Sequence, residues 1–182
     1  MVKEISIHAR AGQGAITLAA LLGTAVFLEG GYALVFPHFG AARMGAPMNS
    51  FVRISGQQIR VRSQVYEPDY IMVVDASLMR GFNVFQGMQE GGVAYINRQS
   101  QDGISVPHGV KVYDIPADEL SLKIFNRPMG NTVLLGAFSA GTGEVSLDSL
   151  EKAVEDKFPE KIVQLNVEAF RAGYEYFKEK FA

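Results

Sequence analysis

The chain has 182 residues, 48% of them hydrophobic, and a formal net charge of −2, so residues 1–182 suffice for one well-packed domain and nothing draws the whole molecule toward nucleic acid or acidic lipid. It contains no cysteine and so cannot by itself hold a conventional iron–sulfur cluster, a Cys-ligated zinc ion, a disulfide or a thiol nucleophile. The longest apolar stretch, residues 15–28, falls short of the ~20 residues of a membrane span, and the first residues lack the pattern of a secretion signal, so a cytoplasmic chain is expected.

Taken in order, Ile5 and Ile7 alternate with polar residues as in a strand, and residues 9–14, Ala-Arg-Ala-Gly-Gln-Gly, form a turn before an apolar helix over 16–28. Gly30 and Gly31 stop that helix, and a short strand over 32–36 closes at Pro37. Residues 48–55 and 59–63 read as two strands around Gly56-Gln57-Gln58, an inserted β-hairpin. Further strands are expected at 70–74, 93–96 and 110–115, and helices at 117–125, 132–140, 147–158 and 161–181. In the last helix Ile162, Leu165, Ala169, Phe170, Tyr174, Phe177 and Phe181 recur at steps of three and four, an apolar stripe suited to core packing. Strands alternating with helices predict an α/β domain of three layers, α/β/α, around a mostly parallel, mixed sheet.

The turn at 9–14 is the place to meet an anion. The first N–H groups of the following helix lack intrahelical partners and carry the positive end of its dipole, and Gly12 and Gly14 keep side chains off the backbone. The turn overlays the dinucleotide fingerprint G-x-G-x-x-G with Ala9 and Ala11 in the first two glycine positions, and the second strand ends in Phe36-Pro37 with no acid for a ribose, which argues against NAD. No Lys-Ser or Lys-Thr follows the glycines, so a nucleotide-hydrolysing P-loop is excluded. A tight turn with no ligand is the competing reading.

From residue 30 to 66 there is no Asp or Glu, while Arg43, Arg53, Arg60, Arg62 and His38 lie inside that window. Arginine offers a permanent charge and a planar fork for phosphate or carboxylate. If the sheet is parallel, the Gly- and Pro-rich loop 37–48 lies at the same carboxyl edge as the turn, and the two border one crevice. Arg43, held in that loop, reads as functional, whereas Arg53, Arg60 and Arg62 either share that role or decorate the exposed face of the hairpin. Asp75, at the end of the 70–74 strand, reads as a cap for the next helix. His8, His38 and His108 are too scattered for a metal site, and spacing supports no catalytic residue.

Several of these segments together resemble the gamma subunit of the 2-oxoacid:ferredoxin oxidoreductases of the pyruvate and ketoisovalerate type. They are Arg10-Ala11-Gly12-Gln13-Gly14-Ala15 with Thr17, Phe36-Pro37-His38-Phe39-Gly40 running on to Arg43-Met44-Gly45-Ala46-Pro47, and Phe51-Val52-Arg53-Ile54. Pro68-Asp69, Asp75, Asn131, Leu135-Gly136-Ala137, Asn166, Ala169-Phe170 and Gly173 continue the likeness along nearly the whole chain. The family usually has Gly-x-Gly-Gly-Gln-Gly at the first site, where Ala9 and Ala11 depart, and often Glu-Arg-Arg where this chain has Ala41-Ala42-Arg43.

The resemblance implies one non-cluster subunit of a larger enzyme that oxidatively decarboxylates a 2-oxoacid, pyruvate foremost, to acyl-CoA. Coenzyme A would be contacted as co-substrate by Gly12, Gln13, Gly14 and Thr17, with Arg10 and Arg43 as charge partners. Thiamine diphosphate, magnesium and 4Fe-4S clusters would sit on alpha, beta and delta-type partner subunits, electrons would pass to ferredoxin through the complex, and the whole assembly would dimerise. The small subunit of indolepyruvate oxidoreductase and a free-standing Rossmann-like nucleotide-binding module are the alternatives.

Overall fold

Ile5, Ile7 and Ala9 point one way and Ser6 and His8 the other, building β1 (Lys3–Arg10) inside a six-stranded sheet of the computed structural model. The structure describes residues 1–39, 43–99 and 103–182; Gly40, Ala41 and Ala42 of the Gly- and Pro-rich loop lie outside the described residues. After β1 come α1 (Ala15–Leu28), β2 (Tyr32–Phe39), β3 (Pro47–Ser55), β4 (Tyr70–Val73), a short 3-10 helix (Ala76–Arg80), β5 (Val93–Asn97) and β6 (Lys111–Ile115). Helices α2 (Ala117–Phe125), α3 (Gly130–Thr142), α4 (Leu147–Glu155) and α5 (Glu160–Phe181) complete the chain.

The sheet order is β2-β3-β1-β4-β5-β6. Strands β1, β4, β5 and β6 run parallel, whereas β3 is antiparallel to both of its neighbours, Ile5 facing Val52 on one side and Phe36 facing Phe51 on the other. The inserted antiparallel pair is therefore β2 with β3. The expected pairing of 48–55 with 59–63 does not form, and 59–63 is irregular chain. Both edges of β3 are already occupied, and the carbonyls of Val61, Ser63 and Gln64 accept hydrogen bonds from the Arg53 guanidinium instead of from a ladder. Pro37 does not close β2 either. It sits on an edge strand, where a missing N–H costs no ladder bond.

One face of the sheet carries the main core, in which Ile5, Ile7, Val52, Met72 and Tyr95 pack beneath residues of α1, α3, α4 and α5. The other face carries a smaller cluster, Ile71, Val73, Ala94 and Ile96 under Val84 and Phe85, so the third layer is built from the irregular chain around the 3-10 helix rather than from an α-helix. Helices α3 and α5 approach so closely that a Cβ at Gly136 would meet the Phe170 carbonyl, and one at Gly173 the Val133 carbonyl. The α5 stripe buries Ala169, Phe170, Gly173 and Phe177, while Ile162 in the first turn is 40% exposed, outside the predicted seam. Tyr95, Tyr113, Phe138 and Phe177 stack around the far end of this contact.

Arg53 is 2% exposed. Its Nε donates to Glu4 Oε1 at 2.5 Å, the guanidinium lies over the Phe36 ring at 5.4 Å, and its remaining nitrogens hold the 61–64 backbone. Arg53→Met should leave Glu4 without its partner and free three carbonyls, a loss of about 3 kcal/mol in denaturant unfolding. Proteolysis of the folded variant should also begin between 57 and 66. An unchanged midpoint and digest would show that the guanidinium holds nothing in place.

Candidate functional site

The turn after β1 is shaped by glycine and then locked by its own polar side chains. Gly12 and Gly14 take φ of +99° and +80°, in the left-handed region, and Gly14 opens α1 with no side-chain cap. The Gln13 N–H donates to the Arg10 carbonyl at 3.1 Å, and Gln13 Oε1 accepts from the Arg10 N–H at 2.7 Å. The Gln13 amide then donates to Asp75 Oδ2 at 2.8 Å, and Arg10 Nε reaches the same oxygen at 3.2 Å. Asp75 also caps the 3-10 helix by accepting from the Ser77 N–H at 2.9 Å, the role its position suggested. Burial opposes ionisation there, but bonds from Ser77 and Gln13 and the Arg10 charge together hold the carboxyl below its usual range.

The second loop joins this turn through backbone. The Ala11 N–H donates to the Ala46 carbonyl at 2.8 Å, the Gly45 N–H returns a bond to the Ala11 carbonyl at 3.1 Å, and Arg10 Nη1 touches the Gly45 carbonyl at 3.3 Å. Because β3 reverses direction between β2 and β1, β2 still points the same way as β1, and the expected meeting of the two loops at one edge holds through an unexpected register. Thus the structure brings Arg10, Gly12, Gln13, Gly14 and the Arg43 loop together. Arg43 is exposed and has no ion-pair partner among the described residues, and Thr17 is half-buried in the first turn of α1.

These loops meet at the border of the parallel strands β1 and β4, from which the chain continues toward opposite edges of the sheet, a switch point of the kind at which open α/β sheets bind ligands. The first α1 N–H to find a helical partner is that of Leu18, on the Gly14 carbonyl at 2.9 Å, so the amides of residues 15–17 have no i−4 partner. Sequence reasoning left Asn131 outside the site. It lies in the first turn of α3, where a Cβ on Gly14 would strike its amide, and its Oδ1 is buried without a hydrogen-bond partner. Nothing local in the sequence joins residues 14 and 131; only the α1–α3 packing does.

A separate cavity of about 400 Å³ opens on the face without α-helices. On its floor Ser6 Oγ and His8 Nε2 lie 3.2 Å apart. Burial, partly offset by a hydrogen bond with Asn49, pushes the His8 imidazole down to about 4. Among the described residues no group of three or more His, Asp or Glu could hold a metal ion, and no helix is long and apolar enough to cross a membrane.

Fold and glycine turn together define an α/β protein with an open mixed sheet whose first strand-to-helix turn is joined to the loop before β3. Residues 4–176 match the family described as pyruvate ferredoxin/flavodoxin oxidoreductase. Pyruvate synthase subunit PorC of Methanothermobacter marburgensis is 45% identical over 175 residues, covering 96% of this chain and 97% of that protein. The crystal structure of pyruvate oxidoreductase subunit PORC of Thermotoga maritima superposes with a TM-score of 0.81 at 33% identity, covering 96% of both chains. A 2-oxoglutarate:ferredoxin oxidoreductase of Magnetococcus marinus, solved with 2-oxoglutarate, coenzyme A and succinyl-CoA bound, matches at TM-score 0.81 and 22% identity over 98% of this chain and 31% of that one, a likeness of fold. The chain belongs to the pyruvate ferredoxin/flavodoxin oxidoreductase family, as an oxidoreductase subunit of the gamma type.

Gly14→Ala should cost about 1–3 kcal/mol, because the methyl group meets both a left-handed φ and the Asn131 amide. A thermal midpoint equal to wild type would contradict this geometry. His8 supplies a pH test. The unfolded chain takes up this proton near pH 6.5 and the folded chain only near 4, so stability falls as pH drops through that window. Melting temperatures between pH 7 and 4 should fall less steeply in His8→Gln; parallel curves would refute the assignment.

Proposed function

We propose that this chain is the gamma subunit of a multisubunit 2-oxoacid:ferredoxin oxidoreductase converting a 2-oxoacid to its acyl-CoA, and that it lines the active-site cleft and helps to bind coenzyme A. Pyruvate is the favoured substrate, since the relatives at 45% and 33% identity are pyruvate enzymes. The observation that carries the reading is the open first turn of α1, stitched by Ala11 and Gly45 to a loop bearing an unpaired arginine. Phosphate groups suit such a place, because N–H donors and a dipole end meet a permanent cation, while the nearby Asp75 carboxylate is engaged by Arg10, Gln13 and Ser77.

Each residue then has a separate task. The amides around Gly12 and Gly14 and the Thr17 hydroxyl receive phosphate or pantetheine oxygens, while Arg43 neutralises charge from the opposite loop. Arg10 shares its charge with Asp75, so it and the Gln13 side chain hold the turn open in one shape. Coenzyme A supplies the thiol that accepts the acyl group. This chain's donor set does not fit a magnesium-bound thiamine diphosphate or an iron–sulfur cluster, having no cysteine and no carboxylate or imidazole triplet among the described residues. Those groups are assigned to alpha, beta and delta-type partners in a cytoplasmic, dimerising assembly that delivers electrons to ferredoxin.

The isolated chain should be colourless and without turnover, and activity should return with the thiamine- and cluster-bearing subunits. In the assembled enzyme Arg43→Ala should raise KM for coenzyme A roughly ten- to a hundredfold, the weight of one charge-assisted hydrogen bond, while KM for the 2-oxoacid stays put. An unchanged KM for coenzyme A would make Arg43 structural.

A further inference from the structure

The face of the sheet without α-helices carries a surface that the coenzyme A reading does not use. Residues 59–66 run across it as irregular chain because Arg53, from beneath, takes the carbonyls of Val61, Ser63 and Gln64. With those carbonyls turned inward, Arg60, Val61, Arg62 and Tyr66 stand exposed, Tyr66 at 68%. Against this segment lies the chain after the 3-10 helix. A Cβ on Gly87 would meet the Tyr66 carbonyl, and the cavity of about 400 Å³ is lined from both sides, by residues 64–66 and by residues 78, 82–84 and 86. Phe82, at 57% exposure, stands at its rim.

Two properties of this surface point to one occupant. Among the described residues the cavity is lined by no Asp, Glu, Lys or Arg; the imidazoles of His8 and His38, amides, hydroxyls, aromatic rings and aliphatic groups form its wall. On the chain leading into its lining residues 64–66, Arg60 and Arg62 are exposed and have no ion-pair partner among the described residues, and residues 30–66 contain no acid, with Glu67 the next in sequence. Three other arginines are paired, Arg10 with Asp75, Arg98 with Asp114 and the exposed Arg171 with Glu151, whereas Arg60 and Arg62 stand two residues apart on one exposed segment with no acid in it. A pocket without carboxylates, reached by a segment that exposes two guanidiniums and no acid, is complementary to an apolar or aromatic side chain followed by carboxylates.

We propose that the surface formed by residues 59–66 and 78–86 is the docking site for a segment of a different subunit, one that seats an apolar or aromatic side chain in the cavity and sets carboxylates against Arg60 and Arg62. This rests on the reading of the chain as one member of an assembly. The partner's ring packs between Tyr66 and Phe82, and its acids give the contact a salt dependence that a purely apolar seam would lack.

The test is co-expression of the full chain with the other subunits, comparing wild type, the double variant Arg60→Glu with Arg62→Glu, and Phe82→Ala. All three substitutions are at exposed positions, so each variant's melting temperature should match wild type. Sedimentation at low salt should show release of either variant chain from the complex at concentrations about tenfold higher or more than for wild type. Added salt should weaken the wild-type complex, by screening attraction, and tighten the charge-reversed one, by screening carboxylate–carboxylate repulsion. Variants that assemble like wild type overturn the docking site alone. Normal assembly with a raised KM for coenzyme A also overturns it, by handing the arginines to a small anionic ligand. Failure of the wild-type chain to assemble at all overturns the subunit reading and this inference with it.

Discussion

The Asp75 carboxylate sets the form of the glycine turn. It stands at the end of β4 and takes hydrogen bonds from Gln13, Arg10 and Ser77, so β1 and β4 are tied at their carboxyl ends where the topology would otherwise leave a gap. With the Gln13 side chain drawn toward Asp75 and its carbonyl oxygen accepting the Arg10 N–H, the turn has few other shapes available. The α1 amides are therefore presented at one place rather than sampled among many, and an ordered donor set binds an anion with less entropy lost. The cost of confining Gly12 and Gly14 to positive φ is met by these bonds, which is why polar residues surround a turn that itself contains two bare glycines.

The two faces of the sheet are held by different physics. Beneath α1 and α3 to α5, burial of aliphatic and aromatic groups dominates, and the close passage of α3 over α5 depends on the missing side chains of Gly136 and Gly173. On the opposite face the apolar cluster is small, and the irregular chain is fixed by one buried cation, Arg53, which exchanges its hydration for Glu4 and three carbonyls. That face keeps the cavity of about 400 Å³ and the exposed ring of Phe82 beside it.

The regular elements were legible because their signals are local. The 117–125 helix is α2 to the residue, and β3 to β6 lie within a residue or so of their sequence patterns. The segment 59–63 misled because alternation of Ile59 and Val61 with arginines looks like a strand, while the deciding fact is a side chain six residues earlier spending the backbone acceptors. Arg53 itself was read as an exposed or ligand-facing cation. Its ladder partner across the sheet is Glu4, and no local pattern announces an ion pair between residues 49 positions apart. The turn and its junction with the Arg43 loop were foreseen, but from a parallel sheet; the antiparallel β3 between β1 and β2 restores the same polarity by reversing direction twice. Asn131 beside Gly14 required the packing of two helices distant in sequence.

The residues that mark the chain as a family member serve two unrelated ends. Gly136 and Gly173 permit the α3–α5 approach, and Asn166 accepts from Thr132 at 2.9 Å to fix the start of that crossing. These maintain a fold and would be required whatever molecule was bound. Gly12, Gln13, Gly14 and Asp75, with Asn131 pressed on Gly14, instead form a crevice of polar groups that the core does not need. Functional inference from relatives therefore rests on the second group alone. There Ala9 and Ala11 replace hydrogens with methyl groups without opening the turn, because Ala9 pairs regularly with Met48 in the β1–β3 ladder and Ala11 exchanges backbone bonds with Gly45 and Ala46. The departure from glycine falls on positions whose backbone is already committed to strand and loop, while the two positions that adopt positive φ have kept it.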